Sequence, residues 1–235
     1  MKRIFLIHGD KGGVGKTEAA KRIAAVMMQA KHPITLIDGD NKNPGLHAAF
    51  KAGDGDVRCI NVMKPAGLDA LFGAIAGSPG DVLIDLPARG SDVTARLTSE
   101  GASEDGFDLS LLIEEIGAEI YIIFVIDQTR APVVALKDEL AALPSAKWII
   151  VKNHREDREF DLFDKSKIKA DLEGRGAPVI DMIRLDPRVN DVLENKSLNM
   201  LSALESDDLS MLQKIRIKAA LRSWSEQMRK AGLLE

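Results

Sequence analysis

The sequence predicts an α/β fold: a doubly wound, mostly parallel sheet flanked by helices. Three observations carry that expectation. Short apolar runs rich in strand formers alternate with helix-periodic stretches along most of the chain. The first run, Arg3-Ile4-Phe5-Leu6-Ile7, leads through His8-Gly9-Asp10 into the glycine loop Lys11-Gly12-Gly13-Val14-Gly15-Lys16-Thr17. Two further apolar runs end in aspartates, Asp38 and Asp85, and ligands of open parallel sheets bind at strand carboxyl ends.

The glycine loop comes first. Behind it, Glu18 to Met28 is rich in helix formers. Strand, glycine loop and helix form the context of a phosphate-binding loop. Backbone N–H groups of Gly12, Gly13, Val14 and Gly15 would face the phosphates, with the helix N-terminus adding partial positive charge. Lys16 would reach the β- and γ-phosphates, and the Thr17 hydroxyl would hold Mg²⁺. The plain motif needs a glycine five residues before Gly15, where the chain has Asp10; in compensation a second lysine, Lys11, precedes the glycines.

Composition bounds the rest. The chain has 235 residues, 45% hydrophobic and 29% charged, which suits one domain over 1–235. Aromatics are only 4%, so aliphatic side chains must fill the core. No long uncharged apolar segment suggests a transmembrane helix. The first strand starts almost at once, so no signal peptide is expected. A single cysteine, Cys59, excludes an internal disulfide or a CxxC pair and fits a reducing cytoplasm. With a net charge of −4, any nucleic-acid contact must come from a local patch.

Further along, Pro33 to Asp38 reads as a second buried strand, ending in Asp38-Gly39-Asp40-Asn41. These aspartates either serve a nucleotide or form an Asx turn that caps a short helix. Val57 to Asn61 suggests a short strand, and Ala66 to Ala76 a helix with Leu68, Leu71, Phe72 and Ile75 on one face. Gly80 to Ala88 contains Val82-Leu83-Ile84-Asp85, the Walker B form, in which a strand delivers one carboxylate to the magnesium region. A loop of Pro87, Ala88, Arg89 and Gly90 would follow. Helices are expected over Ser91–Leu97 and Leu109–Gly117. The run Ile120 to Ile126 suits a strand covered on both faces. After it, Asp127-Gln128-Thr129-Arg130 either caps the helix Ala131–Leu143 or touches a ligand.

Lys147 to Lys152 reads as a strand leading into Asn153. A helix over Asp164–Glu173 should turn Ile168 and Leu172 inward. Pro178 to Met182 reads as a last strand, at the sheet edge. A long helix is expected at 207–230, with Ile217, Leu221, Trp224 and Met228 at helical spacing. Its Lys214, Arg216, Lys218, Arg222, Arg229 and Lys230 leave three readings: a solvated face of a core helix, non-specific DNA binding, or a membrane surface. The four histidines lack metal-ligand spacing.

The loop Lys11 to Thr17 resembles the deviant Walker A loop of the ParA/MinD family of P-loop ATPases. The likeness extends to Asp38-x-Asp40, to Asp85-Leu86-Pro87, to Asn153 and to the stretch around Asp186-Pro187. The resemblance implies binding of ATP and Mg²⁺, a homodimer that forms with ATP, slow hydrolysis and an activating partner protein. It assigns Lys11 to the partner's nucleotide, Asp40 to the attacking water or magnesium shell, and Asp38 to support of that region. It assigns Asn153, Asp186 and Pro187 to adenine, and Thr17, Asp40 and Asp85 to the metal region. Plasmid partition, mobilisation or intracellular positioning are the roles it implies. One departure stands out: Glu18 occupies a position where many relatives carry Thr or Ser, close to the triphosphate. Two other classes remain: a dethiobiotin-synthetase-like or metallocentre-assembly enzyme, and a non-hydrolysing nucleotide-binding scaffold.

Overall fold

The computed structural model describes residues 1–9, 11–51, 57–88, 90–98, 109–143 and 146–234. Asp10 and Arg89 lie outside the described residues. Among these, seven strands make one sheet: β1 (Lys2–His8), β2 (Ile34–Asp38), β3 (Val57–Cys59), β4 (Asp81–Asp85), β5 (Ala118–Ile126), β6 (Lys147–Asn153) and β7 (Val179–Met182). Their spatial order is β3-β2-β4-β1-β5-β6-β7, and every pairing is parallel. The helices are α1 (Lys16–Gln29), α2 (Gly45–Phe50), α3 (Pro65–Ala76), α4 (Gly90–Thr98), α5 (Leu109–Ile116), α6 (Arg130–Ala142), α7 (Asp161–Asp164), α8 (Lys167–Gly174), α9 (Pro187–Asn195), α10 (Met200–Glu205) and α11 (Met211–Lys230).

Strand side chains alternate between two cores. Phe5 and Ile7 of β1 join a cluster built with α1, α2 and α9 to α11, while Ile4 and Leu6 join one built with α3 to α8. Central strands are therefore apolar on both faces, as a sheet covered on both sides requires. The edge strand β7 is protected differently. The Gln227 side chain accepts from Asp181 N–H at 2.7 Å and donates to Asp181 C=O at 3.1 Å. It thereby satisfies backbone groups that an edge leaves open.

Four elements depart from the sequence expectation. The charged stretch forms two helices, α7 and α8, because the Ser166 hydroxyl accepts from Lys169 N–H and starts a new helix. The last helix begins at Met211 rather than near Asp207, because Ser210 and Gln213 form a capping box there. The separate helix α10 had not been expected; Asn199 caps it and also donates to the Ala49 carbonyl of α2 at 3.1 Å. Gly90, expected in a loop, opens α4. As expected, Ile217, Leu221, Trp224 and Met228 face inward from α11.

Candidate functional site

The central strand β1 delivers the glycine loop between the carboxyl ends of its neighbours. The register explains why two aspartates meet there: Asp38 pairs with Asp85 across β2 and β4, and Ile7 pairs with Asp85 across β1 and β4. The loops beyond are stitched together. Gly39 N–H donates to the Asp85 carbonyl at 2.9 Å, and Leu86 N–H to the Ile7 carbonyl at 3.2 Å.

Within the loop, Gly15 needs to be glycine twice over. Its φ is +105°, and a Cβ there would lie 2.3 Å from Asn153 Nδ2. Val14 plugs the core beneath with no exposed surface. Lys16 is buried and spans its own loop, donating from Nζ to the Gly9 carbonyl at 2.8 Å and approaching the Lys11 carbonyl at 3.5 Å. A phosphate arriving in the loop would therefore meet an ammonium already in place.

The Thr17 hydroxyl faces Asp85 closely enough to favour its charged form. Asp85 is 1% exposed, and its Oδ1 has no hydrogen-bond partner among the described residues. Burial pushes its pKa up to about 7, with Asp38 and Asp40 adding to the rise and Thr17 and Lys16 opposing it. A buried carboxylate with an orphan oxygen, beside a threonine hydroxyl, fits a divalent cation. No trio of His, Cys, Asp or Glu among the described residues is arranged to hold a metal alone. Mg²⁺ is commonly held by one or two protein oxygens plus the substrate's phosphates.

The two aspartates after β2 divide the work of the loop. Asp38 is fully buried; its Oδ2 accepts from Leu46 and His47 N–H at 2.9 Å each, so it caps α2, and its Oδ1 accepts from Asp40 N–H at 3.0 Å. Burial raises its pKa against those backbone bonds. Asp40 Oδ1 accepts from Lys42 and Asn43 N–H at 3.1 Å each and shapes the turn. The capping alternative thus accounts for Asp38, and the turn brings Asp40 close enough to Asp85 to raise its pKa. The loop also leans on the phosphate loop: a Cβ on Gly45 would stand 2.9 Å from Thr17 Cγ2.

Lys11 rests on its own chain. Its Nζ lies 3.3 Å from both Asp127 Oδ2 and Thr129 Oγ1, with the side chain 40% exposed. Burial works against the Asp127 carboxylate, yet hydrogen bonds from Thr129 and Lys11 outweigh it and hold its pKa below the usual range. The loop after β5 is therefore both a helix approach and a seat for Lys11.

A cleft of 290 Å³ opens beside the phosphate loop, lined by Glu18, Arg22, Asn153, Arg155, Leu185 and Pro187 among others. Asn153 uses its Nδ2 to hold the Val14 carbonyl at 2.8 Å. Arg155 donates to the Gly13 carbonyl. Pro187 lies in the cleft wall, whereas Asp186 caps α9 and is committed to Arg188 and Arg216, which hold its pKa down at about 2. Glu18, the anomalous acid, is neutralised: Arg22 Nε donates to its Oε1 at 2.8 Å. Arg22 is itself buried, donates to the Ile183 carbonyl at 2.8 Å and stands 6.0 Å from the Trp224 ring centre. The sequence reading missed Arg22, although an acid and a base four residues apart on a helix are a visible signal. It also missed Arg155, whose contact spans 142 residues and has no local signature.

A strand-fed phosphate loop, a buried aspartate beside its threonine, and a neighbouring cleft define a P-loop nucleotide-binding protein. The chain belongs to the CobQ/CobB/MinD/ParA nucleotide-binding domain family, whose model matches residues 5–199. It is 26% identical to Protein MobD of Acidithiobacillus ferrooxidans over 232 residues, covering 97% of this chain and 96% of that one. Its fold is similar to the cell division ATPase MinD of Pyrococcus furiosus, with a TM-score of 0.58, 16% identity and coverage of 98% and 99% of the two chains. It is also similar to the septum site-determining protein MinD of Pyrococcus horikoshii, solved with Mg-ADP, with a TM-score of 0.56, 16% identity and coverage of 99% and 98%. The MinD and ParA members are P-loop ATPases, which sets NTP hydrolysis at the level of the family.

Proposed function

We propose that this chain is an ATP-dependent switch of the ParA/MinD type, a single domain over 1–235 that works in the cytoplasm in mobilisation or partition of mobile DNA. The observation that carries the switch is the pair of loop lysines. Lys16 lies buried across its own phosphate loop, whereas Lys11 points away from it onto Asp127 and keeps a partly exposed ammonium. A second cation at the rim of a site already supplied with one suits a nucleotide held by a second copy. In the ATP-bound dimer, Lys11 leaves Asp127 and meets the partner's phosphates.

The backbone N–H groups of Gly12 to Gly15 and the ammonium of Lys16 bind and orient the phosphates. Thr17 and Asp85 would hold Mg²⁺, which would supply charge neutralisation to the phosphates. Asp40 sits on the loop that would close over the γ-phosphate and orients the attacking water. Asn153 and Pro187 border the base, with Glu18 at the near wall of the cleft, while Asp186 acts there only through the segment it anchors to Arg188 and Arg216. Loss of the γ-phosphate releases the loops after Asp38 and Asp85, and with them the dimer. Hydrolysis is slow until a partner protein stimulates it. The near full-length likeness to MobD favours mobilisation among the roles open to this family. Lys218, Arg222, Arg229 and Lys230 are exposed along α11, whose Ile217, Leu221, Trp224 and Met228 face the core while Met211, Leu212 and Ile215 are exposed at its start, so the rest of this helix offers DNA a basic face. No helix among the described residues is long and apolar enough to cross a membrane.

Light scattering with ADP and with a non-hydrolysable ATP analogue tests the switch. A dimer should appear only with the analogue, and Lys11→Ala should abolish it while leaving nucleotide affinity within about threefold. A mass independent of nucleotide sinks the reading. Single-turnover hydrolysis then separates a working ATPase from an inert scaffold.

A further inference from the structure

One buried polar cluster, outside the phosphate contacts, joins the strand that feeds the loop to the helix that follows β4. His8 ends β1, has no exposed surface, and stacks on Phe124 with ring centres 5.2 Å apart. Its Nε2 lies 3.3 Å from Glu139 Oε2, which comes from α6 and is 6% exposed. Thr94 Oγ1 lies 3.2 Å from the same oxygen and shares its one hydrogen between it and the Ser91 and Gly90 carbonyls at 3.1 and 3.3 Å, and Ser91 adds another side-chain hydrogen bond to Glu139. Ser91 and Thr94 belong to the start of α4. Gly90, where α4 begins, is pressed against the imidazole: a Cβ there would stand 3.2 Å from Cε1.

This arrangement is costly for a purely structural joint. Val93 already buries the apolar side of α4 in the core. Placing a carboxylate in the interior demands partners, and the benefit of such a network lies in fixing one geometry rather than in net stability. Burial would raise the Glu139 carboxyl, but His8, Ser91 and Thr94 outweigh it and hold its pKa below the usual range. The groups it joins are the two that matter most to the γ-phosphate end. His8 directly precedes Gly9, whose carbonyl holds Lys16. Gly90 stands five residues beyond Asp85.

We propose that Glu139, acting with His8, is a positioning residue for hydrolysis: it latches the first turn of α4 to the strand that feeds the phosphate loop. The chain leaving Asp85 is thereby set against the phosphate loop before any nucleotide arrives, at the point where a Cβ on Gly12 would lie 3.9 Å from Ala88 Cβ. The inference rests on the ATPase reading for its consequence in hydrolysis, and on the geometry alone for the latch.

Glu139→Gln keeps the shape and an acceptor for Thr94 but removes the charge facing His8; Thr94→Val removes one tether from the other side. Two measurements decide. Backbone amide exchange over residues 90–98 should accelerate by about tenfold in either variant, with β1 and β4 unchanged. Single-turnover ATP hydrolysis should fall by about tenfold, while affinity for a non-hydrolysable ATP analogue stays within about twofold. Glu139→Asp should recover part of the rate. Unchanged exchange over 90–98 overturns the latch, as does a joint loss of affinity and rate that follows the melting temperature. Wild-type protein that fails to hydrolyse ATP condemns the ATPase reading instead, and the exchange measurement still decides the latch.

Discussion

The phosphate end and the base end of the site are built on different principles. At the phosphate end, the loop of residues 11–17 and two carboxylates from adjacent strands converge through backbone geometry and sheet register. Lys16, Asp38 and Asp85 are buried there, and Asp85 keeps an oxygen without a partner among the described residues. At the base end, the wall is tied by side chains over long sequence distances: Arg22 to the Ile183 carbonyl, Arg216 to Asp186, and Arg155 to the Gly13 carbonyl. Backbone-built sites are rigid and hold charge in wait. Side-chain-tied walls can be retuned one residue at a time, and Glu18 with Arg22 shows such an exchange carried out within one helical turn.

Breaking the phosphate end should cost most. Lys16→Ala should lower ATP affinity by about a hundredfold or more, measured calorimetrically, because a desolvated ammonium on phosphate cannot be replaced by water. A loss under about threefold would mean that the loop backbone alone carries binding.

Asp85→Asn should reduce Mg²⁺-dependent single-turnover hydrolysis by about a hundredfold. The same variant sharpens the comparison through stability. The folded pKa of Asp85, about 7, lies above the unfolded value near 3.8, so the folded protein holds this proton more tightly. Its contribution to stability is complete below the unfolded value and is lost as pH rises toward 7, then levels off. Without nucleotide, Asp85→Asn should therefore match wild type near pH 4 and exceed it by up to about 4 kcal/mol at pH 8, read by denaturant unfolding. A pH-independent difference would show that Asp85 is charged and satisfied in the free protein.

Smaller effects belong to the base end. Arg22→Ala should destabilise the fold by about 2 kcal/mol, because a buried arginine is removed and Glu18 is left uncompensated. ATP affinity should fall only several-fold, as the 183–187 segment loses its tether. Glu18→Gln should be the mildest, with affinity within about twofold of wild type, since Arg22 already neutralises the acid. A tenfold gain would show that the Glu18 charge reaches the phosphates after all.

Much of the phosphate end was legible in the sequence. The strand before the loop, the glycines, Lys16, Thr17 and the aspartates ending two apolar runs are all local patterns, and the fold turns each into a position at a strand end. Lys11 was legible as a departure from the plain motif, but not where it rests: its seat on Asp127 and Thr129 is over 110 residues away. The division of labour between Asp38 and Asp40 was open for a related reason, because the same short sequence permits a capping turn and a ligand loop. His8 and Glu139 were invisible as a pair, since a lone histidine and a helical glutamate carry no spacing signature.

The sequence by itself determined the alternation of strands and helices, the phosphate loop and the inward face of α11. Those features follow from periodicity and from backbone requirements that act over a few residues. Only the tertiary structure decided which charges meet. Register placed Asp38 beside Asp85, the order of strands set Asp127 and Asn153 around the glycine loop, and packing of α6 on the sheet beside β1 brought Glu139 to His8. Hydrophobic burial is read from composition and period because it is non-directional and short-ranged along the chain. Electrostatic pairing depends on distances in space that the chain fixes only after it has folded.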